Sequence, residues 1–317
     1  MDTTQNGPAH VLILAGGEGT RTHSVTRAFS GDDRPKQFST LVGREPLLVQ
    51  TQRRAALVVP PSRTLTILTR HHERYYRDMV SGLAPSSLVV QPESRGTAAA
   101  VLYGLLRVAV RSPNSPVVIL PSDHWVSSDA DFMVHVAAAV GFVRAYENVV
   151  VLLGVPATRP EPEYGWIEPS DLILGAWSAL HRVRRFVEKP SPALALGMHR
   201  AGTNFWNTSV VAGQVEALLF LFAMAHPELV DAFLEAWSAL ATPSEDAAVE
   251  RVYAGLSSYD FSRDILAAQP GSLAVLEVSG VAWEDIGHPS RILAARRRDP
   301  RRAEAQADRA ARHSNIA

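Results

Sequence analysis

The chain predicts an α/β fold, a mostly parallel sheet with helices on both faces. Short apolar runs rich in Val, Leu and Ile alternate with longer stretches whose apolar residues recur at helical spacing. The runs are bounded by Pro, Gly or Ser and read as buried strands. The first run opens directly into a glycine-rich loop, and in such sheets ligands sit beyond the carboxyl ends of the strands.

Val11–Leu14, Thr64–Thr69, Leu88–Val90, Val117–Leu120 and Val149–Leu153 are the expected strands of the first half. Pro46–Val58, His71–Ser81, Thr97–Arg111 and Ala130–Tyr146 are the helices between them. After Gly154 the pattern changes. Pro156, Pro160, Pro162 and Pro169 predict a loop region around Tyr164-Gly165-Trp166-Ile167-Glu168. Leu180–Val187 reads as a strand, and Ala193–Arg200, Val215–Ala225, Pro227–Leu240 and Ser244–Ala254 read as helices. Leu273–Val278 is a late strand and Ser290–Arg297 a closing helix. One catalytic-size domain is expected over residues 10–297. A disordered tail is expected over 1–9, and an Arg-rich tail, a solvated helix or disordered, over 298–317.

The 317 residues carry a formal net charge of -1, which gives no support for a nucleic-acid binder driven by phosphate attraction. There is no cysteine, so disulfides and thiolate metal sites are excluded. Met1 to Ala9 has no basic-then-apolar layout of a signal peptide. The most apolar stretch, Val210 to Ala225, is too short and too interrupted to span a bilayer. The expectation is a cytoplasmic protein with no nucleic-acid or membrane partner.

The loop Leu14-Ala15-Gly16-Gly17-Glu18-Gly19-Thr20-Arg21 is followed by Arg34-Pro35-Lys36-Gln37-Phe38. Glycines let the backbone turn its N–H groups toward a ligand, and Arg21 and Lys36 add charges suited to phosphate. It is not a dinucleotide fingerprint, because Thr22 stands at the third glycine position, which disfavours an oxidoreductase. No Gly-Lys-Ser/Thr closes a Walker loop either. Asp123, after the strand Val117–Leu120, faces the expected crevice and suits magnesium, or it caps a turn. His124 reads as a structural hydrogen-bonder. Asp285 in Trp283-Glu284-Asp285-Ile286-Gly287 meets Asp123 across the crevice if the late strand joins the sheet; otherwise it is a turn residue. Glu188-Lys189 is either a sugar and phosphate contact or a surface ion pair. Asn207 suits sugar hydroxyls, and Gly165 a close backbone approach or a plain turn. Gln91 to Thr97, with Gly96 inside it, either faces a nucleobase or caps a helix.

In order, these segments resemble the sugar-1-phosphate nucleotidyltransferases, above all the bacterial mannose-1-phosphate guanylyltransferase branch. The resemblance runs from Val11 to about Arg297, and Pro35-Lys36-Gln37-Phe38 favours the mannose branch. It implies a Rossmann-like, three-layer (GT-A-like) nucleotidyltransferase domain with a mostly parallel mixed sheet. It implies GTP, or another nucleoside triphosphate, held by Leu14, Ala15, Gly16, Gly17, Gly19, Thr20 and Arg21, with Gln91, Gly96 and Thr97 at the base. A sugar-1-phosphate would lie on Lys36, Gly165, Glu188, Lys189 and Asn207. Asp123 and Asp285 would hold Mg2+, and Arg21, Lys36, Asp123, Lys189 and Asp285 form the implied catalytic set. The implied reaction joins GTP and mannose-1-phosphate into GDP-mannose and pyrophosphate; a homodimer is compatible with it. Three departures from the family pattern stand out. Thr22 replaces a leucine, Arg95-Gly96-Thr97-Ala98-Ala99 replaces Arg-Asn-Thr-Ala-Pro, and Thr208-Ser209 replaces Ser-Gly after Asn207. They leave two alternatives open: the same reaction with UTP or dTTP and glucose-1-phosphate, or a non-catalytic nucleotide-sugar-binding regulator. The chain ends too early for the β-helix or isomerase domain of many relatives, so neither is expected.

Overall fold

The computed structural model describes residues 7–173 and 180–299. The chain folds in the order β1 (His10–Leu14), α1 (His23–Ser30), α2 (Leu47–Ala55), β2 (Thr64–Thr69), α3 (Glu73–Val80), β3 (Leu88–Gln91), α4 (Gly96–Ala109), β4 (Pro116–Pro121), β5 (His124–Val126) and α5 (Asp129–Ala145). There follow β6 (Val150–Pro156), β7 (Gly165–Leu172), β8 (Leu180–Glu188), α6 (Pro192–Ala201), β9 (Phe205–Gln214), α7 (Val215–Ala225), α8 (Pro227–Leu234), α9 (Glu245–Gly255), β10 (Leu273–Glu277), β11 (Trp283–Asp285) and α10 (Pro289–Arg298).

The main sheet has the order β3-β2-β1-β4-β9-β6-β10-β8-β7. β1 pairs in parallel with β2 and β4, β2 with β3, and β6 with β10. β8 and β9 run against their neighbours, so the sheet is mixed. β7 also returns to the start of β9, pairing Trp166 with Trp206, which closes the last five strands on themselves. β2 and most of β4 are buried along their length, the condition that produces unbroken apolar runs. One apolar layer packs α4, α7, α8 and α9 on one face; the other packs α2, α3, α5 and α6 on the opposite face. Three layers result, as expected of the fold class.

The segment Gly165–Leu172 was expected as loop and is a strand. Its one proline, Pro169, is tolerated because it sits at a register shift against β8. β9 is a ten-residue strand that the pattern did not announce, because Asn207, Thr208, Ser209 and Gly213 interrupt its apolar residues. Gly7 donates to the Asn114 carbonyl (3.0 Å) and Ala9 is buried, so the folded body already includes residues 7–9. At the other end α10 runs to Arg298 and the buried Asp299 follows it; residues 300–317 of the expected Arg-rich tail lie outside the described residues. Among the described residues no single helix is long and apolar enough to cross a membrane; α7 and α8 together are bent by 117°.

Candidate active site

A cleft of roughly 270 Å³ opens where the carboxyl ends of β1 and β4 meet β8 and β9. The glycine-rich loop forms one wall. Its carbonyls are tied from behind: Gln37 Nε2 donates to Ala15 O (3.1 Å) and Gly17 O (2.7 Å), and Thr69 Oγ1 donates to Gly16 O (2.9 Å). Among the described residues, no hydrogen bond is donated by the N–H groups of Gly16, Gly17, Glu18 or Gly19. Fixed carbonyls with free N–H groups make a ready anion cradle.

The floor is an arrangement of three charges. Ser122 Oγ donates to Leu14 O (2.6 Å) and locks β4 to β1, which places Asp123 just past the strand end. The ribbon of β5 and β11 pairs His124 with Asp285 and so brings the second carboxylate alongside. Lys36, on a short 3-10 turn, puts Nζ 3.0 Å from Asp123 Oδ2 and 2.9 Å from Asp285 Oδ1. Burial works to lower the Lys36 pKa, but the two carboxylates outweigh it and raise it, so Lys36 remains a cation. Burial would push Asp285 up; Lys36 and His124, with Arg291, reverse this and hold its carboxyl well below the usual range. His124 is buried, which lowers its pKa, and stacks edge-on to Trp283 at 5.1 Å.

Behind Asp285 lies a charged network that sequence reasoning missed. Arg291 reaches Asp285 Oδ2 (3.5 Å) and Glu161 Oε1 (3.2 Å), and its guanidinium lies 4.5 Å from the Tyr164 ring centre. Tyr164 donates to the buried Glu284 (2.6 Å), which also pairs with Arg159 at 3.2 Å. These partners lie up to about 130 positions apart, at separations such as the 120 between Tyr164 and Glu284, so no local motif marks them.

The far wall carries Glu188 and Lys189. Burial raises the Glu188 pKa against the pull of Lys189, whose Nζ is 2.8 Å away. Lys189 has φ 49° and Ser209 φ 55°, left-handed conformations that non-glycine residues adopt under strain, and both line the cleft. Gly165 is buried beside them. A Cβ there would lie 2.6 Å from Glu188 Oε2, so the glycine makes room for that carboxylate.

Residues 10–302 match the family described as Nucleotidyl transferase. The chain belongs to that family. It is 28% identical over 284 residues to xanthan biosynthesis protein XanB of Xanthomonas campestris pv. campestris, covering 89% of this chain and 58% of the relative. It is 29% identical to a mannose-1-phosphate guanylyltransferase of Sinorhizobium fredii, covering 87% and 52%. A solved structure from Thermus thermophilus, described as a mannose-1-phosphate geranyltransferase, superposes with a TM-score of 0.72 at 32% identity, covering 88% of this chain and 76% of that one. The chain spans about half the length of the curated relatives it matches.

Within this nucleotidyl transferase, the cleft is lined by Leu14, Gly17, Arg21, Lys36, Thr97, Asp123, Glu188, Lys189 and Asp285 from the sequence-predicted set. Arg21 is exposed at the rim and pairs with Glu163 at 2.8 Å. Ala15 is buried beneath the loop, while Gly16, Gly19 and Thr20 continue it. Three expected contacts are placed otherwise. Gln91 is 2% exposed; its amide donates to Leu68 O (3.3 Å) and accepts from Tyr253 Oη (3.1 Å), so its side chain is committed inside the protein under Gly16 rather than aimed at a base. Gly96 has φ 80°, and a Cβ there would lie 2.1 Å from Tyr259 O, so this face is covered by the chain itself. Asn207 is buried and its Oδ1 accepts from Ser209 N–H (3.0 Å). Asp260, Phe261 and Ser262 also line the cleft and were missed; Thr97 Oγ1 accepts from Phe261 N–H (2.8 Å) and docks them on the start of α4. A larger cavity of about 440 Å³ lies near Phe220, Leu221 and Leu273, away from the glycine-rich loop, and is not the candidate site.

Proposed function

We propose that this cleft transfers a nucleotidyl group from GTP to mannose-1-phosphate, giving GDP-mannose and pyrophosphate. The observation that carries the reading is Lys36 held between Asp123 and Asp285 beside a glycine-rich loop with free N–H groups. The names of the relatives point to mannose-1-phosphate as the acceptor.

The free N–H groups of Gly16 to Gly19 bind the triphosphate, and Arg21 leaves its exposed partner Glu163 to meet the departing pyrophosphate. Lys189 binds the sugar phosphate, while Glu188 orients the sugar. One phosphate oxygen of the sugar-1-phosphate forms a bond to the α-phosphorus as the α–β bridging bond breaks in line. The electron pair leaves on pyrophosphate. The attacking oxygen is already anionic, so no general base is required. Lys36 neutralises charge on the transferring phosphoryl, and holding the two anions together removes most of the remaining barrier.

Asp123 and Asp285 fit a divalent ion. They already share one cation, the Lys36 ammonium, and oxygen donors suit magnesium. Mg2+ held there would neutralise phosphate charge when bound. The reading includes a cytoplasmic enzyme without nucleic-acid or membrane partners, and a homodimer is compatible with it.

The covered face of Gly96 favours a second reading, the same reaction with another pair such as UTP or dTTP with glucose-1-phosphate, because the base side differs. A screen of nucleoside triphosphates against sugar-1-phosphates, read by pyrophosphate release, decides. GTP with mannose-1-phosphate is expected to lead; GTP among the poorest donors sinks the first reading. No turnover with any pair would favour a non-catalytic nucleotide-sugar-binding regulator.

A further inference from the structure

A second cluster of metal-ligating side chains stands behind the glycine-rich loop. Glu18 lies between Gly17 and Gly19, and His71 and His72 form the turn that follows β2. His71 Nε2 is 3.1 Å from Glu18 Oε2, and His72 Nε2 is 3.3 Å from the same oxygen. The three donor atoms lie within 4.8 Å of one another. A tetrahedral zinc ion with bonds of about 2.0–2.1 Å separates its ligand atoms by roughly 3.3 Å, so two of the three spacings already match.

The surroundings favour a built site over a chance surface contact. His72 is 3% exposed and its ring packs edge-on to Phe38 at 5.8 Å. Among the described residues its Nδ1 has no partner, and Nε2 makes the ring's polar contact to Glu18. Arg74 is turned away to Tyr75 Oη (2.6 Å). His71 and Glu18 are half-exposed, which gives an ion a path in and room for a water ligand. Two imidazoles and one carboxylate suit zinc, cobalt or nickel rather than magnesium.

We propose that Glu18, His71 and His72 form a separate site for a zinc-class divalent ion that ties the glycine-rich loop to the turn after β2. The site is distinct from Asp123 and Asp285, and its occupancy holds in place the loop whose Gly17 lines the cleft.

The test uses metal-stripped full-length protein titrated with Co2+ and Zn2+ without substrate, followed by cobalt absorption and calorimetry. The expected result is one ion per chain, not displaced by excess Mg2+. His71→Ala and Glu18→Gln weaken it by more than about tenfold, the lower bound for even an outer-shell loss. Asp123→Asn leaves it unchanged. Both ligand variants change half-exposed side chains and so are expected to fold; His72 is avoided because it is buried. Zn2+ should also slow amide exchange from Gly16 to Thr22. Binding that is absent, equal in His71→Ala and Glu18→Gln to that of the parent, displaced by Mg2+, or abolished by Asp123→Asn overturns the proposal. No substrate enters the test, so it stands or falls apart from the proposed reaction.

Discussion

Asp285→Asn separates the chemistry of the cleft from its stability. The change removes a charge 2.9 Å from Lys36 Nζ but keeps the shape of the side chain. Breaking a buried ion pair is severe when it leaves the partner charge alone, at about 3–5 kcal/mol. Here Asp123 still stands 3.0 Å from the same ammonium, and Arg291, only 3.5 Å from Asp285, keeps Glu161 at 3.2 Å, so both cations retain a counter-charge. The loss in stability should therefore be that of one charge-assisted hydrogen bond, about 1.5–3 kcal/mol. Catalysis has no such substitute, because the proposed metal loses one of two carboxylates. Removing one preorganised electrostatic partner lowers kcat by about 10²–10³, or about 3–4 kcal/mol of barrier. Pyrophosphate release across a magnesium series gives kcat and the magnesium requirement; urea unfolding gives stability. The variant should be folded, slow and demanding of more magnesium. An Asp285→Asn protein that turns over like the parent at the same magnesium concentration would exclude Asp285 from the metal site.

Three further outcomes follow from the geometry. Glu188→Gln should raise the thermal midpoint at neutral pH while weakening sugar-1-phosphate binding. Burial raises the folded pKa of Glu188, so the carboxyl's favourable contribution is full below its unfolded pKa of about 4.3 and is lost as pH rises through the folded value. The advantage of the glutamine variant should accordingly vanish in acid; a lower midpoint at neutral pH contradicts this. Gly96→Ala should lose about 2–5 kcal/mol in urea unfolding, combining about 1–2 for a left-handed alanine with about 1–3 for overlap on Tyr259 O. A neutral substitution would show that the Tyr259 segment does not dock on α4 as described. Arg21→Ala should shift stability by at most about 1 kcal/mol, because its pair with Glu163 is exposed on both sides, yet slow pyrophosphate release by about 10². Equal effects on both would assign Arg21 a structural part instead.

The strands most legible in the sequence are those buried on both faces. β1 and β2 are parallel to both neighbours, β4 and β6 to one, and all four are central strands whose sequences are mostly apolar. β9 lies just as deep but is antiparallel on both sides and carries Thr208, whose hydroxyl is satisfied by Leu153 O at 2.7 Å. A polar residue so satisfied costs little in the core and hides the strand from any apolar pattern. The same limit applies at the site. Lys36, Asp123 and Asp285 follow strands or turns beside glycine or proline, where local sequence marks them, and they meet within 3.0 Å. Asp285 arrives on the β5–β11 ribbon rather than on the late strand itself. Gln91 shows the opposite failure. A polar residue beside a helix start looks ligand-facing, but the space left by the missing side chain of Gly16 and the hydroxyl of Tyr253 take it inward. Arg291, Tyr164 and Glu284 are joined only by the fold.

The central claim is attack on the α-phosphorus within the cleft of Lys36, Asp123 and Asp285. It is tested most directly with GTP labelled at the α-phosphorus, incubated with mannose-1-phosphate and magnesium. The label should appear in GDP-mannose, with unlabelled pyrophosphate released in equal amount, and Lys36→Met should abolish both. Label remaining in GDP with release of inorganic phosphate, or transfer undiminished in Lys36→Met, would contradict the account.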